Sequence, residues 1–315
     1  MEIKKQGSYL GDEVGISVTD SISLTIDKRI GIARKAIFEI KLVVENCRSQ
    51  VAGSIPTGWM LWETCILPFL LNNASTWLEI KKKDIERLIR LQNLFLNVLL
   101  GVYHCPVPML YWDLSVLTIP NRILLQKLNL YHHISCLPHS SLSHRILETM
   151  KRLHLPGLHE ECPPFLLRHG ILDVASFSKH QWRLFVRHKI NKENRQFLIS
   201  WSEKYKKIDT LQIACEDYKF KDYFFKLNLA QSRLMFRSRS GCMYTCKTQY
   251  SSDPVNMRAL HACMHCGEVD TFSPHWMNCN AYAHLRKSRN LQIDSQLLAY
   301  YQDIINLRVK TLDES

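Results

Sequence analysis

The chain has 315 residues, of which 46% are hydrophobic and 22% charged, a balance that excludes a disordered tail. Lys and Arg number 41 against 29 Asp and Glu, so the formal net charge of +12 favours polyanionic partners. The N-terminus lacks the apolar region of a secretory signal, and the most apolar stretch, residues 59–77, is too short and too polar to span a bilayer. The eleven cysteines therefore predict reduced thiols or metal ligands in an intracellular protein, nuclear and cytoplasmic.

The first predicted elements are one short strand and three helices. Residues 9–11 indicate a strand end with no partner up to residue 122, so the strand is an edge remnant or its sheet lies outside this chain. Apolar residues then recur at spacings of four and three from Ile26 to Cys47, which predicts a helix of about six turns. Helices follow at 59–71 and 81–100. Cations open the last of these, where they oppose the helix dipole, so a bound phosphate is one explanation for them. These cations are Lys81, Lys82 and Lys83.

Two further helices are predicted before a break in the chain. One starts after Pro120, which suits a first-turn position, and the other begins near Ser141. Pro156, Gly157 and the pair Pro163-Pro164 then mark a domain boundary. The predicted fold is mainly α, in four parts: a remnant of a polymerase palm edge (1–20), a helical thumb-like domain (21–155), a basic helical linker (156–235), and an arginine-rich segment with a zinc knuckle and a C-terminal helix (236–315).

Residues 178–207 interleave nine Lys or Arg with aromatic residues. One interpretation is a helical pair whose aromatic side chains face a core and whose cations are solvated. The other is a basic track with stacking platforms for single strands, and both can hold at once. The candidate nucleic-acid contacts in this segment are Arg183, Arg187, Lys204, Lys206 and Lys207.

Three further candidate contacts form an arginine run: Arg233, Arg237 and Arg239. Arg233 and Arg237 are four residues apart and would share a helix face, and the guanidinium fork suits phosphate. Surface cations near a helix end are an equally good explanation.

The sharpest motif is a set of four candidate metal ligands near the C-terminus: Cys263, Cys266, His275 and Cys279. Three thiolates and an imidazole suit tetrahedral zinc, and a full coordination sphere predicts a structural Zn²⁺ site without a catalytic water. Chance clustering in a chain rich in Cys and His is the alternative. Cys242 and Cys246 form a looser pair, which we interpret as ordinary thiols.

No catalytic constellation accompanies these motifs: the sequence has no glycine-rich phosphate loop, nucleophile elbow or HExxH. The order of several segments nevertheless resembles the region downstream of the polymerase active site in non-LTR (LINE-type) retrotransposon reverse transcriptases. The segments are YLGD at 9–12, LWE at 61–63 followed by ILPFLLNN and Trp77, LQNLFL at 91–96, P-x-P at 106–108, NRILLQKL at 121–128, LPGLHEEC at 155–162, the arginine run, and the knuckle ending in CNAYAHLR at 279–286.

The resemblance implies a C-terminal part of such a polymerase, covering the end of the palm, the thumb and the CCHC knuckle. No Tyr-x-Asp-Asp box occurs in the chain, so it would be inactive alone and would grip RNA and DNA, both template–primer and target DNA, with no membrane partner and no small-molecule substrate. Two alternatives stay open: a helical protein-interaction module derived from such an element, or a decayed open reading frame.

Overall fold

The computed structural model describes residues 7–9, 12–15, 17–46, 52–102, 105–204, 218–240, 242, 263, 266, 279–287, 289 and 294–313. The described chain is mainly helical, which confirms the predicted fold class. Its strands and α-helices are β1 (Gly7–Tyr9), β2 (Asp12–Val14), α1 (Val18–Asn46), α2 (Ser54–Leu61), α3 (Leu67–Leu70), α4 (Lys82–Leu100), α5 (Val107–Trp112), α6 (Ile119–Ser135), α7 (Leu142–Arg152), α8 (Leu158–Glu161), α9 (Pro163–Arg168), α10 (Lys179–Ser202), α11 (Tyr223–Lys226), α12 (Leu229–Arg239), α13 (Ala283–Lys287) and α14 (Asp294–Asp313).

The N-terminal strand finds its partner locally. Strands β1 and β2 pair antiparallel, with Gly7 opposite Val14, where the sequence indicated one strand end without a partner. Strand β2 was not visible in the sequence because Asp and Glu have low strand propensity. Side chains of α1 hold it in place: the buried Arg29 forms an ion pair with Asp12, and the Thr25 hydroxyl accepts a hydrogen bond from Glu13 N at 2.8 Å.

The main core lies where α1, α2 and α4 cross. The predicted apolar stripe of α1 is buried there, with Ile26 and Ile37 fully enclosed. Trp62, in a π-helical turn between α2 and α3, stacks on Phe95 of α4 with ring centroids 4.4 Å apart. Gly58 permits the close approach of α2 to α4, because a Cβ atom at its position would lie 2.5 Å from Leu99 Cδ1. Among the described helices, none is both long and apolar enough to cross a membrane.

A second apolar cluster joins α6 through α10. Trp182, Val186 and Ile190 of α10 pack in it with residues of α6, α8 and α9. The cluster runs across residue 156, since Leu147 of α7 and Leu158 of α8 both belong to it. Helix α10 thus has one face in this cluster and leaves the remaining faces for other contacts.

A third, smaller cluster forms near the C-terminus. Cys263 and Cys279 pack there with Tyr282 and with Tyr300 and Ile304 of α14. Helix α12 contacts α2, α4 and α14, and its Leu234 packs against both the main core and this third cluster. Helix α12 therefore connects the C-terminal cluster to the helical core.

Candidate functional site

Three of the four predicted metal ligands come together. The sulfur atoms of Cys263, Cys266 and Cys279 all lie within 4.8 Å of one another. Cys263 and Cys279 are buried, and Cys266 is exposed. His275, the predicted fourth ligand, lies outside the described residues. The three cysteines form a cluster that can hold a metal ion.

The backbone around Cys279 is fixed by two hydrogen bonds to its carbonyl oxygen. Tyr282 N donates at 3.1 Å as a short 3-10 turn (Asn280–Tyr282) begins, and Arg286 Nη1 of α13 donates at 2.8 Å. Arg286 thereby places a positive charge beside the cysteine cluster. Three thiolates around a divalent ion leave one negative charge, which a guanidinium at this position would offset.

Tyr300 completes the surroundings of the cluster. Its side chain is fully buried, and burial raises the pKa of its hydroxyl, while a hydrogen bond with Arg286 opposes that rise. The neutral tyrosine is therefore an uncharged hydrogen-bonding group next to Arg286. Together, Arg286 and Tyr300 tie α13 and α14 to the cysteine cluster.

The arginine run lies on α12, whose start is fixed by a capping box between Asn228 and Gln231. The guanidinium of Arg233 donates to the carbonyl oxygens of Leu99 and Val98, each at 3.2 Å, and Arg237 Nε donates to Gly101 O at 3.2 Å. These carbonyls end helix α4, where backbone acceptors lack partners within the helix. Both guanidinium groups thus have hydrogen-bond partners inside the protein.

Arg239 lies on the same helix and contacts a buried carboxylate. Its Nε donates to Asp113 Oδ2 at 2.9 Å and its Nη2 to Oδ1 at 3.3 Å, while the Tyr223 hydroxyl donates to Oδ2 at 2.9 Å. Asp113 is fully buried. Arg233 and Arg237, predicted to share a helix face, both contact the end of α4, whereas Arg239 contacts Asp113; the contact of all three with nucleic acid stays a prediction.

The lysines at the start of α4 are placed differently from one another. Lys81 Nζ lies 3.0 Å from Asp20 Oδ1. A hydrogen bond from Ser17 is the largest cause that lowers the pKa of the Asp20 carboxyl, and the contact with Lys81 lowers it further. Lys82 and Lys83 are exposed. An acidic partner thus offsets one of the cations that oppose the helix dipole, and phosphate contact by the three stays a prediction.

Helix α10 carries the basic aromatic segment. Ser178 and Gln181 form a capping box at its start. Arg183, Arg187 and Lys204 are exposed, whereas Lys206 and Lys207 lie outside the described residues. Trp182 does not serve as a stacking platform, because it is buried against His132 with ring centroids 4.9 Å apart. The buried Trp182 and the exposed cations agree with the first interpretation, and the basic track for single strands stays a prediction.

A groove of about 780 Å³ runs along another face of α10. We call it the α10 groove; its lining includes Arg168, His169, Lys189, Lys192, Glu193, Gln196, Phe197 and Trp201, together with Tyr111, Pro120 and Asn121. The Asn194 side chain anchors this part of α10, since its amide nitrogen donates to Val116 O at 3.1 Å and its oxygen accepts from Asn121 Nδ2 at 2.9 Å. These two hydrogen bonds fix the position of α10, and with it the residues of α10 that line the groove.

Sequence reasoning missed the contribution of α9 to this groove. Glu193 of α10 accepts from His169 Nε2 at 3.0 Å and lies 3.4 Å from Arg168 Nη1. Arg168 and His169 follow a proline-rich break and gave no signal by themselves in the sequence. A hint was present in Lys189, Lys192 and Gln196, whose spacings of three and four place them on one helix face.

Comparison with known proteins gave no match: no protein-family model, curated protein or solved structure matches the chain significantly. The cysteine cluster and the α10 groove are therefore the features from which a function is inferred.

Proposed function

We propose that this chain is the nucleic-acid-binding C-terminal part of a non-LTR retrotransposon reverse transcriptase, without polymerase activity of its own. The observation that carries the proposal is the α10 groove. Arg168, Lys189 and Lys192 line it beside the aromatic side chains of Phe197 and Trp201. Cations that follow a phosphate backbone, combined with aromatic faces, are the usual elements of a nucleic-acid groove.

The three cations set the expected strength of the salt dependence. Each phosphate contact contributes a slope of about −0.7 to −0.9 to the plot of log affinity against log salt concentration. Three contacts give a slope of roughly −2 to −3, so affinity should fall roughly 20- to 40-fold between 50 and 200 mM salt. Affinity for a primer–template that does not change with salt would contradict the proposal.

The test is fluorescence anisotropy with a labelled primer–template. The double variant Lys189→Gln, Lys192→Gln should weaken binding and make the salt slope shallower by roughly 1.4 to 1.8, because two phosphate contacts are lost. The matched control is Lys35→Gln, Lys226→Gln, which removes the same charge from exposed positions on α1 and α11. If the control and the groove variant lose affinity equally, the net charge and not the groove attracts the nucleic acid.

The cysteine cluster is, in our proposal, a structural Zn²⁺ site with His275 as the fourth ligand. Zn–S bonds of about 2.3 Å in a tetrahedron place the sulfur atoms about 3.8 Å apart. The observed separations within 4.8 Å need a contraction of about 1 Å or less, which side-chain rotation supplies. Three thiolates and an imidazole leave no open position, so the metal would stabilise the C-terminal unit without taking part in catalysis.

Metal analysis of the purified protein tests this part of the proposal. We expect about one zinc per chain, lost in the double variant Cys263→Ser, Cys266→Ser, with unfolding of the C-terminal unit while the helical core stays folded. The control is Cys65→Ser, Cys136→Ser, which changes two exposed cysteines, one in the π-helical turn after α2 and one directly after α6, and should keep the metal. Zinc-free protein prepared without chelators would overturn the assignment.

A protein-interaction module is the second candidate, favoured by the outer face of α1. Phe38 and Leu42, four residues apart, have exposed fractions of 53% and 52%. Exposed apolar side chains grouped on one helix face are typical of a protein-binding surface. This candidate predicts binding to a protein that is lost in Phe38→Ser, Leu42→Ser and unaffected by the groove variant Lys189→Gln, Lys192→Gln.

A further inference from the structure

The order of side chains along α10 determines what kind of strand the α10 groove can bind. Lys189 and Lys192 lie toward the middle of the helix, and Phe197 and Trp201 follow near its end. Phe197 is eight residues after Lys189, which is about 12 Å along the helix axis. The cationic part and the aromatic part of the groove are therefore separate and consecutive.

Phe197 presents a large aromatic face that the core does not use. Its exposed fraction is 50%, whereas Leu198, the next residue, is fully buried. Trp201 is half-buried and packs partly against the main core, and its ring centroid lies 5.3 Å from that of Phe197 with the planes tilted by 45°. Trp201 thus contacts one side of the Phe197 ring, and the half-exposed Phe197 lines the groove.

Glu193 divides the polar part of the groove. Its carboxylate holds His169 and Arg168, so it disfavours a phosphate at that point. Arg168 keeps a side-chain exposed fraction of 60%, while its Nε donates to Pro164 O at 3.2 Å and its Nη1 faces Glu193, so only part of its guanidinium is available to a phosphate. Phosphates are therefore directed to the exposed Lys192, to Lys189 and to the outer side of Arg168.

We propose that the α10 groove binds an unpaired nucleic-acid strand, with its phosphates on Lys189, Lys192 and Arg168 and a base stacked on Phe197. This inference rests on the proposed nucleic-acid-binding function. The bases of a duplex are already stacked on one another, so only an unpaired base offers a free face to an aromatic side chain. A stacked strand advances about 3.4 Å per nucleotide, so roughly three to four nucleotides span the distance from Lys189 to Phe197.

The volume of the groove agrees with this occupant. At about 780 Å³ it falls within the range of pockets that enclose a small ligand, so it can take up a base with its sugar and phosphate while the rest of the strand lies along the rim. A duplex would instead place its phosphates on the rim and leave Phe197 without a stacking partner. The preference of the groove for an unpaired strand thus depends on Phe197, and affinity for any nucleic acid depends on the cations.

The experiment measures the affinity of the full chain for a labelled DNA strand of about 12 nucleotides, alone and annealed to its complement. We expect tighter binding of the single strand. Phe197→Ala should weaken binding of the single strand roughly 5- to 150-fold, the range for loss of one stacked base, and leave binding of the duplex unchanged. Phe197→Tyr, which keeps the ring, should retain the preference. The control Leu184→Ala shortens another exposed apolar side chain on α10 and should change neither affinity.

The outcomes separate this inference from the function on which it rests. Equal affinity of the unmodified protein for the two forms, or an equal loss for both in Phe197→Ala, overturns the single-strand inference. If the double variant Lys189→Gln, Lys192→Gln still weakens binding of both DNA forms, the proposed nucleic-acid-binding function stands even though the single-strand inference is overturned. Circular dichroism of each variant confirms the helical content. If Phe197→Ala does not fold, Phe197→Leu, which keeps apolar volume and removes the aromatic face, should give the same loss for the single strand alone.

Discussion

The ion pair between Arg239 and Asp113 separates a structural role of that arginine from a contact with nucleic acid. Arg239 donates two hydrogen bonds to Asp113, whose exposed fraction is 0%. The substitution Arg239→Met keeps an aliphatic chain but removes the charge. We expect the buried carboxylate to retain the Tyr223 hydroxyl and to lose the guanidinium, so the folded state becomes less stable.

The size of the effect follows from the burial of the two groups. Removing one partner of a buried ion pair costs about 3–5 kcal/mol, because the other charge stays in the core. The Arg239 side chain is 28% exposed, so solvent screens it in part and we expect a loss near the lower end, about 3 kcal/mol. The free energy of unfolding from urea denaturation, followed by circular dichroism, measures this loss.

Two further variants test the reasoning. Arg183→Met makes the same change at an exposed position of α10 and should alter the free energy of unfolding by no more than about 0.5 kcal/mol. Adding Asp113→Asn to Arg239→Met removes the unpaired charge, and the double variant should be more stable than the sum of the single effects by about 1–3 kcal/mol. The structural role would be refuted if Arg239→Met had the same free energy of unfolding as the Arg183→Met control and yet bound nucleic acid more weakly.

Two other predictions concern packing and burial. Gly58→Ala should lower the free energy of unfolding by about 1–3 kcal/mol because the new methyl group meets Leu99 Cδ1 at 2.5 Å, whereas Gly31→Ala, with nothing within 4 Å, should raise it by about 0.4–1 kcal/mol; thermal and urea denaturation of both variants check this. Burial raises the pKa of Cys162 to about 12, so at pH 8 iodoacetamide should modify it at least about tenfold more slowly than an accessible thiol; peptide mapping with the exposed Cys65 as accessible reference measures the rate, and rapid labelling of Cys162 would contradict its burial.

The sequence predicted those parts of the fold that depend on periodicity within one segment. The stripe from Ile26 through Ile37 is buried as expected, because a spacing of three and four determines the inward face of a helix wherever its partner lies. The same reasoning put Arg233 and Arg237 on one face of α12. It could not show that their partners are the last carbonyls of α4, more than 130 residues earlier in the chain, since long-range contacts leave no local spacing.

The candidate site was predictable to a similar extent. The spacing of the four-ligand motif predicted that Cys263, Cys266 and Cys279 approach one another, and the structure confirms this for these three. The sequence predicted only the part of the α10 groove that α10 itself contributes, because its lysines and aromatic residues share one helix. The contribution of Arg168 was not predictable, because it comes from a short helix with no pattern of its own. Trp182 and Phe197 looked equivalent in the sequence; only packing against His132 on one side and solvent on the other distinguishes them.

If the cysteine cluster holds the proposed metal, the packing of Leu234 links metal binding to the stability of the helical core. This one side chain belongs to the packing of both the main core and the cysteine cluster, on a helix whose arginines close the end of α4. An ion that binds the native state and not the unfolded chain raises the free energy of unfolding with the logarithm of its concentration. Because Leu234 packs in both clusters, part of that stabilisation extends from the cysteine cluster to the main core. Removing the proposed metal should therefore weaken the packing of α12 against α4, more than 130 residues earlier in the chain.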